Sequence, residues 1–286
     1  MHCTLNFKTS EGKNIFDTAV DMADVARQVI LPHFRSKLLK VKSKSNNGFD
    51  PVTIADKSAE KAMRNILKDR RPNDSVFGEE YGEFEGQGQY RWVLDPIDGT
   101  RAFIAGAPTW GVLISVEKKG YGPIFGLIDQ PYIQERFFGG IGLSEVLTQS
   151  GKKNLKTSNV EKIEDAILLS TFPEIGSKKE YNSFKKLSNR AKLTRYGLDC
   201  YGYALVAMGT ADLVIEAGLN SYDIQAPASV IEAAGGVVTT WDGNPAFDGG
   251  RIVAASNKRL HLQALNYLNS WSEILKLFNR SAYEWN

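Results

Sequence analysis

Four acidic side chains stand where chemistry could be done: Glu79, Asp95, Asp98 and Asp223. Two of them share the stretch Arg91-Trp92-Val93-Leu94-Asp95-Pro96-Ile97-Asp98-Gly99-Thr100-Arg101. Carboxylates held this close repel unless a cation lies between them. Gly99 and Thr100 follow, and exposed amides at the start of a helix favour an anion. A cation beside an anion site is the arrangement of a metal-bound phosphate. The competing reading is structural, because Asp-Pro and Asp-Gly are common turn dipeptides and acids at helix starts serve as caps.

The donor types narrow the metal. The chain has only three histidines (His2, His33 and His261) and two cysteines (Cys3 and Cys200), all scattered. That leaves oxygen ligands, and oxygen ligands point to Mg²⁺ or a relative. Four acids fit two or three Mg²⁺ ions, and paired metals clamp the attacking and leaving oxygens of an in-line phosphoryl displacement.

Composition excludes other classes. A net charge of +2, from 35 basic and 33 acidic side chains, gives no electrostatic footprint for nucleic acid. No apolar run reaches the roughly 18–20 residues that cross a bilayer. The N-terminal residues show no basic segment followed by an apolar core, so no signal peptide is expected. Two cysteines are too few for a disulfide framework. A reduced, cytoplasmic protein is expected. At 286 residues and 42% hydrophobic, the chain can bury a sizeable core as one large domain or two coupled halves.

Elements must bring the acids together. Trp92 to Leu94 reads as a buried strand that stops at Asp95-Pro96, with a short helix from about Arg101. Ser75-Val76-Phe77 is a second strand, ending at Gly78-Glu79-Glu80, and residues 83–90 read as a polar turn. Apolar spacing predicts helices over about 14–35 and from about Asp56 to Asp69, with Asp56 in the first turn, where dipole stabilisation alone would explain it. Lys37, Lys40, Lys42 and Lys44 lie in 37–50, read either as a solvated hairpin or as a mobile basic loop able to close over an anionic substrate.

Strands are expected over 110–117, 124–128 and 135–138, making an antiparallel sheet, and glycine and lysine at 151–156 mark a division. Beyond it, strands and helices alternate. A strand over 213–215 ends in Glu216, and a helix opening near Asp223 stops at Gly235-Gly236. A last amphipathic helix is expected over about 258–277. The expected fold is α/β, a layered α+β sandwich. An antiparallel half (1–150) and an α/β half (151–286) would form one composite catalytic unit.

Gly78-Glu79-Glu80, Asp95-Pro96-Ile97-Asp98-Gly99-Thr100 and Tyr222-Asp223 through Gly235-Gly236 occur in the order and spacing of the inositol monophosphatase family, and the chain resembles that family from about 12 to 275. The resemblance implies a Mg²⁺-dependent, lithium-sensitive phosphomonoesterase, usually homodimeric, acting on a small phosphorylated metabolite. It implies that Glu79, Asp95 and the Ile97 carbonyl hold one metal and that Asp95, Asp98 and Asp223 hold a second. Glu79 would also help retain a third through water. Asp56 and Thr100 would orient and deprotonate the attacking water. Asp98, Gly99 and Thr100 would hold phosphate, and Glu216 would contact substrate.

Within the family, Tyr196-Gly197-Leu198-Asp199-Cys200-Tyr201 and Asp129-Gln130-Pro131 ahead of Glu135-Arg136 resemble the histidinol-phosphate phosphatase branch, which serves histidine biosynthesis. Tyr222-Asp223 replaces the Trp-Asp more usual among the inositol enzymes. Histidinol phosphate carries an ammonium and an imidazole, so an acidic wall from Asp199 and Glu216 would favour it. Asp199 could equally cap the helix starting near Cys200. The alternatives are a broad inositol-1-monophosphatase and an inactive member with a binding role.

Overall fold

A computed structural model describes residues 5–37, 41–43 and 51–269. Helices α1 (Ser10–Ile30) and α2 (Ile54–Arg70) flank a two-stranded ribbon, β1 (Val41–Ser43) with β2 (Pro51–Thr53). There follow β3 (Ser75–Gly78), β4 (Gly82–Phe84), β5 (Tyr90–Asp98), the short α3 (Thr100–Ala105), and a meander of β6 (Gly111–Lys118), β7 (Gly122–Gln130), β8 (Glu135–Gly140), β9 (Leu143–Thr148) and β10 (Gly151–Asn154). These make an eight-stranded sheet in the order β10-β9-β8-β7-β6-β5-β3-β4. Only β3 and β5 pair in parallel within it.

The remaining elements alternate: β11 (Ile167–Ser170), α4 (Lys178–Ser188), β12 (Leu193–Tyr196), α5 (Asp199–Ala207), β13 (Leu213–Leu219), α6 (Ser221–Ala233), β14 (Val237–Thr240), β15 (Gly250–Ala255) and α7 (Lys258–Leu268). Their sheet runs β12-β11-β13-β15-β14, with β11 parallel to both its neighbours.

Alternation along the strands sets the layers, because successive side chains point to opposite faces. Val112, Ile114 and Val116 of β6 pack with α1 and α2, whereas Leu113 between them joins the core around α5 and α6. In the second sheet Val214, Ile252 and Ala254 face that same α5–α6 layer, and Leu213, Ile215, Val253 and Ala255 face α4 and α7. The order is helices, sheet, helices, sheet, helices: the layered α/β sandwich expected from the sequence. Trp92 on β5 is fully buried under α1 and α2. Removing such a side chain costs about 3–5 kcal/mol.

Four local expectations need correcting. The Trp92 strand does not stop at Asp95-Pro96. It runs on to Asp98, with a bulge in its pairing to β6 between Asp95 and Asp98. Pro96 lies in that interruption, where its missing N–H breaks no ladder bond. The polar turn expected over 83–90 begins inside β4. The segment read as a division contains β10, the edge strand of the first sheet, so that sheet extends to Asn154. Asp199 is not the cap of α5: Leu198 is its N-cap residue and makes no side-chain cap bond, and the Cys200 N–H there is taken by Asp98 instead. The lysines at 40 and 44 lie outside the described residues, as does the last helix beyond residue 269.

Candidate active site

Asp95, Asp98 and Asp223 converge, each offering a carboxylate oxygen, and these oxygens lie within 4.8 Å of one another. The bulge in β5 delivers the first two. Asp95 is buried, and its Oδ1 accepts the Ile97 N–H at 3.0 Å, which fixes the turn of backbone between the two acids. Asp98 Oδ2 accepts the Cys200 N–H at 2.6 Å at the start of α5. Asp223 is the third residue of α6. Its Oδ2 accepts the Asn220 N–H at 2.7 Å in a capping box. So Asp223 does cap its helix, and it faces the other two acids as well.

Glu79 follows β3 directly, and its N–H reaches the Leu94 carbonyl at 3.2 Å. Its carboxylate lies close enough to that of Asp95 to raise the Asp95 carboxyl. Burial, then the charges of Glu79, Asp98 and Asp223, hold the Asp95 carboxyl well above the ordinary range. Burial, then Asp199 and Asp223, do the same to Asp98. A cation among these oxygens would reverse both effects. The donor set is all hard oxygen, so the residues present fit Mg²⁺.

Asp56 sits in the first turn of α2 and is fully buried. Its Oδ2 accepts the Thr53 N–H at 2.9 Å and the Thr53 hydroxyl at 2.5 Å. Its other oxygen lies 3.5 Å from the Thr100 hydroxyl, which also donates to the Ile97 carbonyl at 3.2 Å. Burial raises the Asp56 carboxyl against the pull of the Thr53 bonds. Asp56 is therefore both a helix cap and a carboxylate facing Thr100.

Asp199 and Glu216 join the same place. With Asp98 and Asp223 they line a cleft of about 230 Å³, together with Thr171, Phe172, Cys200 and Tyr203. Glu216, at the bulged end of β13, is buried, and its Oε1 accepts the Thr171 N–H at 2.7 Å and hydroxyl at 2.8 Å. Burial pushes its carboxyl up to about 7, against those bonds. Asp199 is pushed up to about 6 by burial, opposed by Thr109 and Arg101. Gly99, at φ +86°, passes so close that a Cβ there would lie 2.8 Å from the Asp199 carboxyl carbon.

Among the lining residues that sequence reasoning missed are Phe172 and Tyr203. Phe172, just past β11, is 45% exposed and carries the Arg101 guanidinium 5.1 Å from its ring centre. Tyr203 lies one turn after Asp199 on α5, and among the described residues its buried hydroxyl has no hydrogen-bond partner. Helical spacing from Asp199 was the one signal that could have found Tyr203. Nothing in the sequence marks Phe172.

The sequence profile of the inositol monophosphatase family matches residues 12–273. The bifunctional phosphatase IMPL2, chloroplastic, of Arabidopsis thaliana is 38% identical over 92% of this chain and 80% of its own length. The histidinol-phosphatase of Streptomyces coelicolor is 37% identical over 87% of this chain and 94% of its own. Among solved structures, an inositol monophosphatase from Zymomonas mobilis superposes with a TM-score of 0.79 at 36% identity, covering 91% of this chain and 99% of that one. The chain belongs to the inositol monophosphatase family and is a phosphomonoesterase.

Proposed function

We propose that this phosphatase is a Mg²⁺-dependent histidinol-phosphate phosphatase that attacks phosphorus with water rather than with a side chain. The observation that carries the substrate is the cleft. Four carboxylates, Asp98, Asp199, Glu216 and Asp223, line it, and among the described residues no cationic side chain joins them in the lining. Asp98 and Asp223 are assigned to metal, which leaves Asp199 and Glu216 to meet the leaving alcohol. An ammonium or imidazolium matches them, and a neutral polyol matches them less well. The histidinol-phosphatase names of relatives at 31–37% identity support the same reading.

Glu79, Asp95 and the Ile97 carbonyl would hold one Mg²⁺, and Asp95, Asp98 and Asp223 a second, with Glu79 near a third. Bound Mg²⁺ supplies Lewis-acid charge on the phosphate and lowers the pKa of bound water. The chain's own residues do the rest. Asp98 and the Gly99 and Thr100 amides orient the phosphate. Thr100 holds the attacking water and passes its proton to Asp56, whose carboxyl is raised by burial and so better suited to take it. The half that carries the first sheet, which ends at Asn154, and the half that carries the second act as one catalytic unit, since acids from both line the cleft.

A cytoplasmic homodimer sensitive to lithium is part of this proposal. Among the described residues no helix is long and apolar enough to cross a membrane. Inositol-1-phosphate is the alternative substrate, favoured by the Zymomonas mobilis relative's name. Phosphate release from histidinol phosphate, inositol 1-phosphate and fructose 1,6-bisphosphate, with and without Mg²⁺, tests the reading. We expect a marked preference for histidinol phosphate that disappears in Asp199→Ala. Equal turnover of the esters by wild type, or an unchanged preference in the variant, would count against it.

A further inference from the structure

We propose that Glu60 is a positioning residue for Glu79, and that with Arg64 it ties Glu79 to Asp56 through helix α2. This rests on the proposed role of Glu79 as a Mg²⁺ ligand.

Asp56, Glu60 and Arg64 recur at intervals of four along α2, which puts them on one side of the helix. Asp56 and Glu60 are both fully buried. Glu60 faces the turn between β3 and β4, the turn that carries Glu79. Its Oε2 accepts the Glu80 N–H at 2.8 Å, and its Oε1 accepts the Tyr81 N–H at 3.2 Å. Arg64 Nε donates to the same Oε1 at 2.7 Å, and Arg64 Nη2 donates to the Gly82 carbonyl at 2.5 Å. The two side chains thus hold the turn by two of its amides and by one carbonyl. A buried carboxylate is tolerable only with such partners.

Gly78 shows how tight the arrangement is. A Cβ on Gly78 would lie 2.1 Å from Glu60 Oε1. The carboxylate reaches the Glu80 and Tyr81 amides by passing over the one residue of the strand end that has no side chain. On its other side Glu79 is fixed by its own N–H on the Leu94 carbonyl of β5. Glu79 is therefore held between β5, which supplies Asp95 and Asp98, and α2, which supplies Asp56. A shift of α2 would move the metal ligand and the proton acceptor together.

The test is calorimetric Mg²⁺ binding to substrate-free wild type, Glu60→Gln and Gly78→Ala, with thermal unfolding alongside. Glutamine cannot accept at both positions, so Glu60→Gln is expected to weaken Mg²⁺ binding about tenfold or more. Its phosphate release should recover toward wild type at saturating Mg²⁺. Gly78→Ala displaces the carboxylate without removing it, and should weaken Mg²⁺ binding in the same direction. Lower melting temperatures with unchanged Mg²⁺ affinity in both variants would overturn the proposal and leave Glu60 a purely structural residue. Absence of Mg²⁺ binding in wild type would instead overturn the metal reading, and this inference with it.

Discussion

The Asp98 carboxylate accepts the Cys200 amide at 2.6 Å, across 102 residues of chain. One oxygen thus ties the bulge of β5 to the start of α5, while the side chain also faces Asp95 and Asp223. Asparagine in its place keeps an oxygen for the Cys200 amide and loses the negative charge. Asp98→Asn should therefore keep its fold and lose turnover by about 10²–10³-fold or more. Phosphate release near the wild-type rate from a folded Asp98→Asn would refute the ligand role.

Thr100 and Asp56 separate proton transfer from binding. The Thr100 hydroxyl lies between Asp56 Oδ1 and the Ile97 carbonyl, at 3.5 and 3.2 Å. Thr100→Val removes the relay and keeps the shape, so kcat should fall roughly 10²–10⁴-fold with little change in KM. Asp56→Asn should lower kcat similarly, and should also weaken the cap that Asp56 makes with Thr53, costing about 1 kcal/mol of stability. If Thr100→Val raised KM and left kcat alone, Thr100 would be a binding residue only.

Much of this site was legible because its acids sit at the ends of apolar strands or the starts of helices. Trp92 to Leu94 announced β5, and the apolar run over 213–215 announced β13 ahead of Glu216. What stayed hidden has physical reasons. Pro96 argues against a strand in any local reading, and only the bulge opposite β6 shows how the strand accommodates it. In β10 every residue is exposed, so no apolar alternation marks it. Glu60 looks like one more helix-surface acid until the β3–β4 turn is seen folded against it. Phe172 matters only because α3 of the first half and the end of β11 meet across the cleft.

His261 on α7 makes acid stability a separate test. It is 5% exposed, and its Nε2 lies 2.7 Å from the Thr239 hydroxyl. Burial, with Lys258 nearby, lowers its pKa to about 4, below the ordinary value of about 6.5. The unfolded chain therefore takes up this proton first. The stabilising contribution is complete above about pH 6.5 and is lost as pH falls toward 4, about 3 kcal/mol in all. Urea midpoints of wild type should fall across that window, and those of His261→Gln should fall less. Parallel curves for the two proteins would show that His261 is not the group responsible.

Asp95 gives the opposite dependence and the strongest test of the metal. Its carboxyl is raised by burial and by three neighbouring acids, so the ion-free folded state disfavours its charge. A folded pKa above the unfolded one stabilises at low pH, and that gain is lost as pH rises through the folded value. Asp95→Asn removes the penalty while keeping an acceptor for the Ile97 N–H. At pH 8 with chelator, this variant should therefore melt higher than wild type. Mg²⁺ should raise the melting temperature of wild type, because a ligand that binds only the folded state stabilises it. It should leave Asp95→Asn nearly unmoved and inactive. Lower stability of Asp95→Asn in chelator, or an equal response of both proteins to Mg²⁺, would mean that these acids are held by something other than a bound cation.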